Sequence, residues 1–416
     1  MRIAVIGAGI SGLASARLLG AEHAVTLNEA AGRPGGHSRT VVLSMEDIDY
    51  PVDTGATLFN SVTAPDFTEL TEHLHIPTRP VAPVFGIRCR RTGLAYGLQG
   101  FRRIYAQPQN LARPWFLRMA REIRRFRRES PALLLKNDPN LLLKDYLIHH
   151  RYSEPFYRFF IYPLASALWT ADPELISELP ARDFVEFYKH HGFYDPPGTP
   201  CCRVIPGGTR QLTAALTDKT RARVRLRSPV VSVRRSEDFV TVASEGGSPE
   251  RFDQVIIATQ ADQALKILSD PSPEEREILS VFRYRETVTL LHFDTAILAD
   301  EGPARGHLNF LIPWHSGDPV AVTYDMNRLG AAKGPVPLLV SRNLNWAAQP
   351  GAILREISFR QLVLPSKRHR FQSRRSRING VNRTWFCGAY WGAGYLEDAV
   401  VSAISVCNRL TDRSSK

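Results

Sequence analysis

Gly7, Gly9 and Gly12 stand as G-x-G-x-x-G in "RIAVIGAGISG", and a lone acid, Glu29, follows them at the end of "AVTLNE". Residues of these types at this spacing hold a dinucleotide. The first glycine permits a sharp turn, the second lets backbone approach a pyrophosphate, and the third lets a helix pack closely on a strand. A helix opening at Ile10, Ser11 and Gly12 turns unpaired N–H groups, and about half a unit of positive charge, toward the phosphates. Glu29, about 20 residues on, is placed to accept hydrogen bonds from a ribose, with Ala30 beside it. The pattern serves NAD and FAD alike.

Three elements must position these groups. The run Ile3–Ile6 reads as a buried strand, the residues after Gly9 as a helix, and Ala24–Leu27 as a second strand that delivers Glu29. A polar loop follows, "NEAAGRPGGHSRT", in which Arg33 and the adjacent Gly35 and Gly36 follow the acid closely.

Glu29, Arg33, Gly35 and Gly36 make E-x-x-x-R-x-G-G, which resembles the second signature of the flavin-containing amine oxidase and phytoene desaturase superfamily. The resemblance implies FAD as the cofactor, with the double glycine pressed against its pyrophosphate. The superfamily usually has Arg or Lys after the glycines, whereas this chain has His37. A neutral imidazole offers one donor where a guanidinium offers five. In "VDTGATLFN", Asp53 and Gly55 match the D-x-G that follows in many such flavoproteins; Asp53 orders the flavin-proximal loop or only stabilises its own turn.

The resemblance implies an α/β, amine oxidase-like two-domain flavoprotein. Its discontinuous Rossmann-like FAD-binding domain would comprise residues 1–85, 201–275 and 375–416, and its α+β substrate-binding domain 86–200 and 276–374. "VVSVRRSEDFVTVAS" alternates like a hairpin and "FDQVIIATQADQALKIL" reads as strand then helix, together the middle return to the FAD domain, with Val231 over the adenine. The closing pattern is "RTWFCGAYWGAGYLEDAVVSAISVCNRL": a strand ending at Gly388, a loop, and a helix from about Leu396 whose N-terminus points at the flavin. Ala389 stands where the superfamily keeps an acid for the ribityl chain. Glu397 bonds the flavin or complements the helix dipole. Tyr390, Trp391 and Tyr395 lie in the segment expected to face the flavin, Tyr395 as one wall of an aromatic cage, or serve only in packing, and these three are the candidate catalytic residues.

"YPLASALWTADPELISELPARDFVEFYKHHGF", "RVIPGGTRQL" and "FCGAYWGAGYLEDA" resemble a bacterial subfamily of amine-oxidase-like FAD-binding proteins. Members read G-G-H and lack the acid after F-x-G, as here. Genes of this subfamily often lie beside cyclopropane-fatty-acid-synthase-like methyltransferases, which implies a fatty-acyl or lipid substrate. The subfamily tends to have His where this chain has Leu396, a departure that bears on activity or substrate.

Of 416 residues, 44% are hydrophobic and 23% charged, ordinary for a globular chain, and the net charge is +12. No zinc-finger, RNP-like or basic-zipper pattern accompanies that charge, so nucleic acid is not expected as a partner. "LARPWFLRMAREIRRFRRES" places Leu111, Trp115, Met119, Ile123 and Phe126 on one helical stripe among arginines. Such a stripe suits either an anionic membrane surface or core packing with arginines facing water. "LPSKRHRFQSRRSR" is a second basic cluster and reads as a solvated loop. Five cysteines without a C-x-x-C pair favour a reducing compartment. No leader and no apolar run of spanning length is seen, so the expected location is cytoplasmic, with peripheral attachment to the inner membrane face. No Ser-His-Asp logic or metal-ligand spacing is present, which removes hydrolase and metalloenzyme readings and leaves no metal expected. His190 and His191 read by default as solvated or core histidines. The functional expectation is an FAD-dependent oxidoreductase that desaturates or otherwise takes hydride from an apolar fatty-acyl or lipid substrate. The alternatives are an amine oxidase using oxygen, a redox-neutral isomerase or mutase, and a flavin-binding partner without turnover.

Overall fold

The apolar run Arg2–Ile6 is the central strand of a parallel sheet ordered Arg223–Arg225, Ala24–Asn28, Arg2–Ile6, Gln254–Ile257, Thr384–Phe386. This computed structural model describes residues 1–135, 138, 141–169, 176, 178–300, 302–315, 318–363 and 367–414. Parts of two stretches singled out above, 170–175 with 177 and 364–366, lie outside the described residues. Ile3, Ala4 and Val5 are wholly buried, as a parallel strand covered on both faces must be. Helices Ile10–Leu19 and Leu396–Ser414 pack together on one face. Their small residues allow close approach: the Cys407 thiol lies 3.9 Å from the carbonyl oxygen of Ser15. The expected hairpin pairs Val230–Arg235 with Val240–Ser244, and Glu250–Phe252 adds a third strand. All five cysteines are free and buried.

A second sheet has seven strands, ordered Ile353–Val363, Arg283–His292, Leu339–Arg342, Ala321–Asp325, Leu308–Ile312, Phe85–Cys89, Ala95–Gly97. Directly opposed residues share a face. The register sets Phe359 opposite Thr287, Arg342 opposite Thr289 and Val322, and Tyr324 opposite Leu308, which in turn opposes Phe85. One face therefore carries Phe359, Arg342, Tyr324, Phe310 and Phe85 together. The other face buries a polar chain in which the His292 ring nitrogen Nε2 lies 2.7 Å from Ser341 Oγ, itself 2.7 Å from Thr323 Oγ1. The Asp294 backbone N–H donates to His292 Nδ1, so Nε2 carries the proton and His292 donates to Ser341. That tautomer cannot take a serine proton, and the network holds the sheet rather than performing hydrolysis.

Helices cover the far side of the molecule, and here the core-packing reading of the basic segment is the one the structure bears out. The basic segment forms a helix at Pro114–Glu129, but its stripe is core: Met119 and Phe126 are fully buried and Ile123 nearly so. Leu111 falls in the preceding short 3-10 turn and is exposed. The physical reason is partner supply, since Phe126 is ringed by Tyr146, Tyr152, Phe156, Phe160, Phe184 and Tyr188 with centroids 5.8 to 6.3 Å away. The stripe is therefore not free to enter a bilayer. Phe126→Ala should cost about 3–5 kcal/mol of stability, read from the urea midpoint of the FAD-saturated protein. A midpoint unchanged from wild type would mean that the helix does not pack as described.

Candidate cofactor and substrate site

The two glycine signatures meet. The Gly35 N–H donates to the Ala8 carbonyl at 2.7 Å, and Gly35 forms a bridge with Gly9. Gly35 does so at φ +115°, a conformation that other residues rarely adopt. Gly36 approaches so closely that a Cβ there would lie 3.3 Å from the Gly9 Cα. The two adjacent glycines thus serve backbone packing against the first loop. Gly7 and Gly12 are tight for a related reason, as a Cβ on Gly12 would collide with the Gly7 carbonyl. Gly9 differs: apart from its own chain neighbours, none of the described residues lies within 4 Å of where its Cβ would be. The need for glycine there comes from a group outside the chain.

The remaining groups fit FAD as that group. The helix Ile10–Leu19 starts at Gly9 with no side-chain cap, leaving its first N–H groups turned to a phosphate. Glu29 accepts from the backbone N–H of Ala8 at 2.6 Å and of Ala31 at 2.8 Å, which leaves about two of its four lone-pair sites for ribose hydroxyls. Ala30 is exposed beside it. Arg33 is half-buried and reaches only the Pro34 carbonyl, at 3.4 Å. Arg227 and Ser228 donate to the carbonyls of Ala31 and Glu29, and Val231, shortly after them, is 54% exposed, an apolar platform at the ribose end. His37 donates through Nε2 to the Arg360 carbonyl at 3.1 Å and stacks on Phe359. Burial and then the neighbouring Arg342 push its pKa below the usual histidine value, so it brings no charge to the phosphates.

Four expected site residues take structural roles instead. Asp53 is buried, bonded to the Thr40 hydroxyl at 2.5 Å and to the Thr209 N–H at 2.9 Å. It locks the segment His37–Gly55, which holds the hairpin Thr40–Met45 and Ile48–Asp53, to the helix Arg210–Asp218. Glu397 accepts from the backbone N–H groups of Asp66 and Phe67, at 3.2 and 2.8 Å, and so caps the helix Pro65–His73. Tyr390 and Trp391, expected at the flavin, are core residues packed on Phe282 at 5.1 and 5.7 Å. The chain turns them inward at Gly388, where φ is +154°, and Gln372 clamps the turn by donating to the carbonyls of Tyr390 and Gly392. Leu396 begins the last helix, partly buried against the core.

Tyr395 is the expected aromatic that does stand at the cleft. Asp398 holds its backbone N–H at 2.8 Å. Its ring stacks on His190 at 4.1 Å with 17° between planes, and His191 lies edge-on at 6.4 Å. His190 is fixed by Thr63 Oγ1 at 2.6 Å, and its carbonyl accepts from Asn60. His191 donates through Nδ1 to the Phe187 carbonyl and faces Phe85. Burial pushes His190 down to about 4 and His191 down to about 3. Both rings are neutral at pH 7 and too weakly basic to abstract protons there. Burial, then Asp398, raise the Tyr395 pKa, with smaller effects from Arg368, which lowers it, and from Glu186 and from Tyr324 of the seven-stranded sheet, which raise it. Arg342 spans the same gap, donating from Nη2 to the Gly55 carbonyl at 3.0 Å. The histidine pair, Tyr324, Phe359 and Arg342 were not singled out as site residues from sequence. Their only local signal is a charge or polar ring at the end of an apolar strand or helix, a pattern surface residues share.

The model of the family of flavin-containing amine oxidoreductases matches residues 10–318, and the chain belongs to that family. It is an FAD-dependent oxidoreductase. No curated protein matches the sequence. Among solved structures, putrescine oxidase bound to putrescine superposes with a TM-score of 0.69 at 15% identity, covering 99% of each chain. Cyclohexylamine oxidase from Brevibacterium oxydans IH-35A gives 0.68 at 16% identity, over 100% of this chain and 99% of that one. The CLA-producing fatty acid isomerase from P. acnes gives 0.67 at 12% identity, over 99% and 98%. At these identities the likeness establishes the fold. Among the described residues no helix is long and apolar enough to cross a membrane.

Two outcomes follow. Gly9→Ala should fold with an unchanged apoprotein midpoint yet bind FAD on the order of tenfold or more weakly, whereas Gly12→Ala should fail to fold normally. Flavin absorbance after dialysis, beside circular dichroism, separates the two. Because His190 and His191 hold fewer protons folded than unfolded, stability is lost as pH falls from about 6.5 toward 4. Urea midpoints across that range should fall, and His190→Phe should remove part of the slope.

Proposed function

We propose that the chain takes hydride from a carbon of an apolar, acyl-chain substrate, as a desaturase or dehydrogenase. The observation that carries this reading is the set of neutral rings, Tyr395, His190, His191 and Tyr324, gathered between the His37–Gly55 segment and the seven-stranded sheet. FAD, when bound, supplies the two-electron acceptor. The chain's share is to hold a C–H bond against it and keep water out. Tyr395 and His190 form a flat wall for that purpose, and behind His191 the fully buried Phe85, stacked on Phe193 at 4.2 Å and lying 6.4 Å from Phe310, belongs to the apolar core that backs it. Neither histidine is charged at neutral pH, so the wall favours an apolar chain over a charged one. The fatty acid isomerase shares this fold, which shows that the architecture accommodates an acyl chain in that protein.

Delivery from an anionic membrane surface fits the reading through charge alone. Arg118, Arg121, Arg124 and Arg128 lie exposed on the outer face of the helix Pro114–Glu129.

Anaerobic absorbance near 450 nm tests the reading. Purified holoenzyme should bleach on addition of bacterial lipid extract or fatty acids and stay unchanged with putrescine or cyclohexylamine. Bleaching by amines alone, with peroxide formed in air, would replace it with amine oxidation; no bleaching by any of them would remove hydride abstraction from lipid.

A further inference from the structure

We propose that Arg342 binds a substrate carboxylate, so that the enzyme takes an apolar free acid rather than an ester or an amine. This rests on the acyl-chain reading and narrows it. Across the strands Phe85–Cys89, Leu308–Ile312, Ala321–Asp325 and Leu339–Arg342, the face that carries Arg342 is otherwise uncharged, its apolar residues are buried in the core, and Tyr324 and Arg342 at its edge are part-exposed. The residues beside it in the register are Thr289 and Val322, and the Thr289 hydroxyl is buried with no partner. Tyr324 lies under the guanidinium, 5.9 Å from its central carbon. His37 faces it from the cofactor loop, held neutral in part by the cation itself. Thr289, Val322, Tyr324 and His37 bring no negative charge to it.

A guanidinium has five donors in a planar fork. Arg342 donates to the Gly55 carbonyl and pairs with no carboxylate among the described residues. Holding such a charge half-buried without a counter-ion is costly, and a ligand anion removes that cost. The fork matches a carboxylate with two parallel bonds. One cation balances a carboxylate's single charge, whereas a phosphate monoester carries about 1.5 to 2 negative charges at pH 7 and would be left under-neutralised. The Gly55 bond fixes the position: the charged end of the substrate sits at the segment that also carries His37.

The test uses holoenzyme with oleate, methyl oleate and oleylamine, which differ only at the head. Binding is read by displacement of a fluorescent fatty acid, and bleaching at 450 nm is followed separately. Wild type should bind oleate on the order of 10- to 100-fold more tightly than the ester or the amine. Arg342→Gln should abolish that preference, and Arg342→Lys should keep part of it. Equal affinity of wild type for acid and ester, or a preference that persists in Arg342→Gln, would overturn the proposal. Should Arg342→Gln lose FAD or fold poorly, the wild-type acid-to-ester ratio and the lysine variant decide. Bleaching by oleate and ester alike would sink the carboxylate anchor and keep lipid oxidation. Arg342-dependent oleate binding without bleaching would keep the anchor and sink the oxidation.

Discussion

The site depends on one backbone contact, the approach of Gly35 and Gly36 to the loop Ala8–Gly9. Everything the first signature builds faces a phosphate only if the second loop closes beside it, and closure requires that neither partner carry a side chain at the junction. Energetically the contact is small, a single N–H to carbonyl bond. Its importance is positional, because His37 follows directly and carries the chain to Gly55, whose carbonyl Arg342 grips from the other sheet. A chain of backbone contacts therefore runs from the phosphate end of the cofactor site to the substrate sheet.

That arrangement explains why the cleft lies where it does. The parallel sheet ends in loops at Gly9, Glu29 and Gly388, and an open α/β sheet binds ligands outside the carboxyl ends of its strands. The seven-stranded sheet turns toward those loops the face bearing Phe359, Arg342 and Tyr324, while its other face is sealed by the His292–Ser341–Thr323 chain. A one-residue slip in any strand would exchange the two faces. The buried polar chain on the sealed side opposes such a slip, since each hydroxyl or ring would lose its partner on reaching the cleft.

The parallel sheet and its glycine loops were legible in the sequence because they rest on local spacing: Gly7 to Gly12, Glu29, Gly35 and Gly36 lie within one continuous segment. The last helix was legible too, from the glycine-relieved loop and the acids at its start. The roles of individual side chains were less so. Asp53 and Glu397 have the right types for cofactor contacts, yet their partners, Thr209 in one case and the Asp66–Phe67 backbone in the other, come from distant segments that no spacing reveals. Tyr390 and Tyr395 lie five positions apart in one loop, and only the turn at Gly388 and the clamp from Gln372 decide that one is core and the other cleft. Arg342 was invisible because its meaning depends on seven strands being in register.

The distribution of acids gives the cleft its character. Glu29, Asp53, Glu397 and Asp398 all lie in segments that build the cofactor side, and each is tied to backbone N–H groups: those of Ala8 and Ala31, Thr209, Asp66 and Phe67, and Ala393 and Tyr395. Asp53 and Asp398 are buried deeply enough that their pKa values rise to about 6 despite those bonds. A carboxylate used as a backbone pin has little freedom to swing into the cleft and neutralise a cation there. The fold thus obtains its loop geometry from acids while keeping them from Arg342, and the field of that one guanidinium stays unopposed among neutral rings.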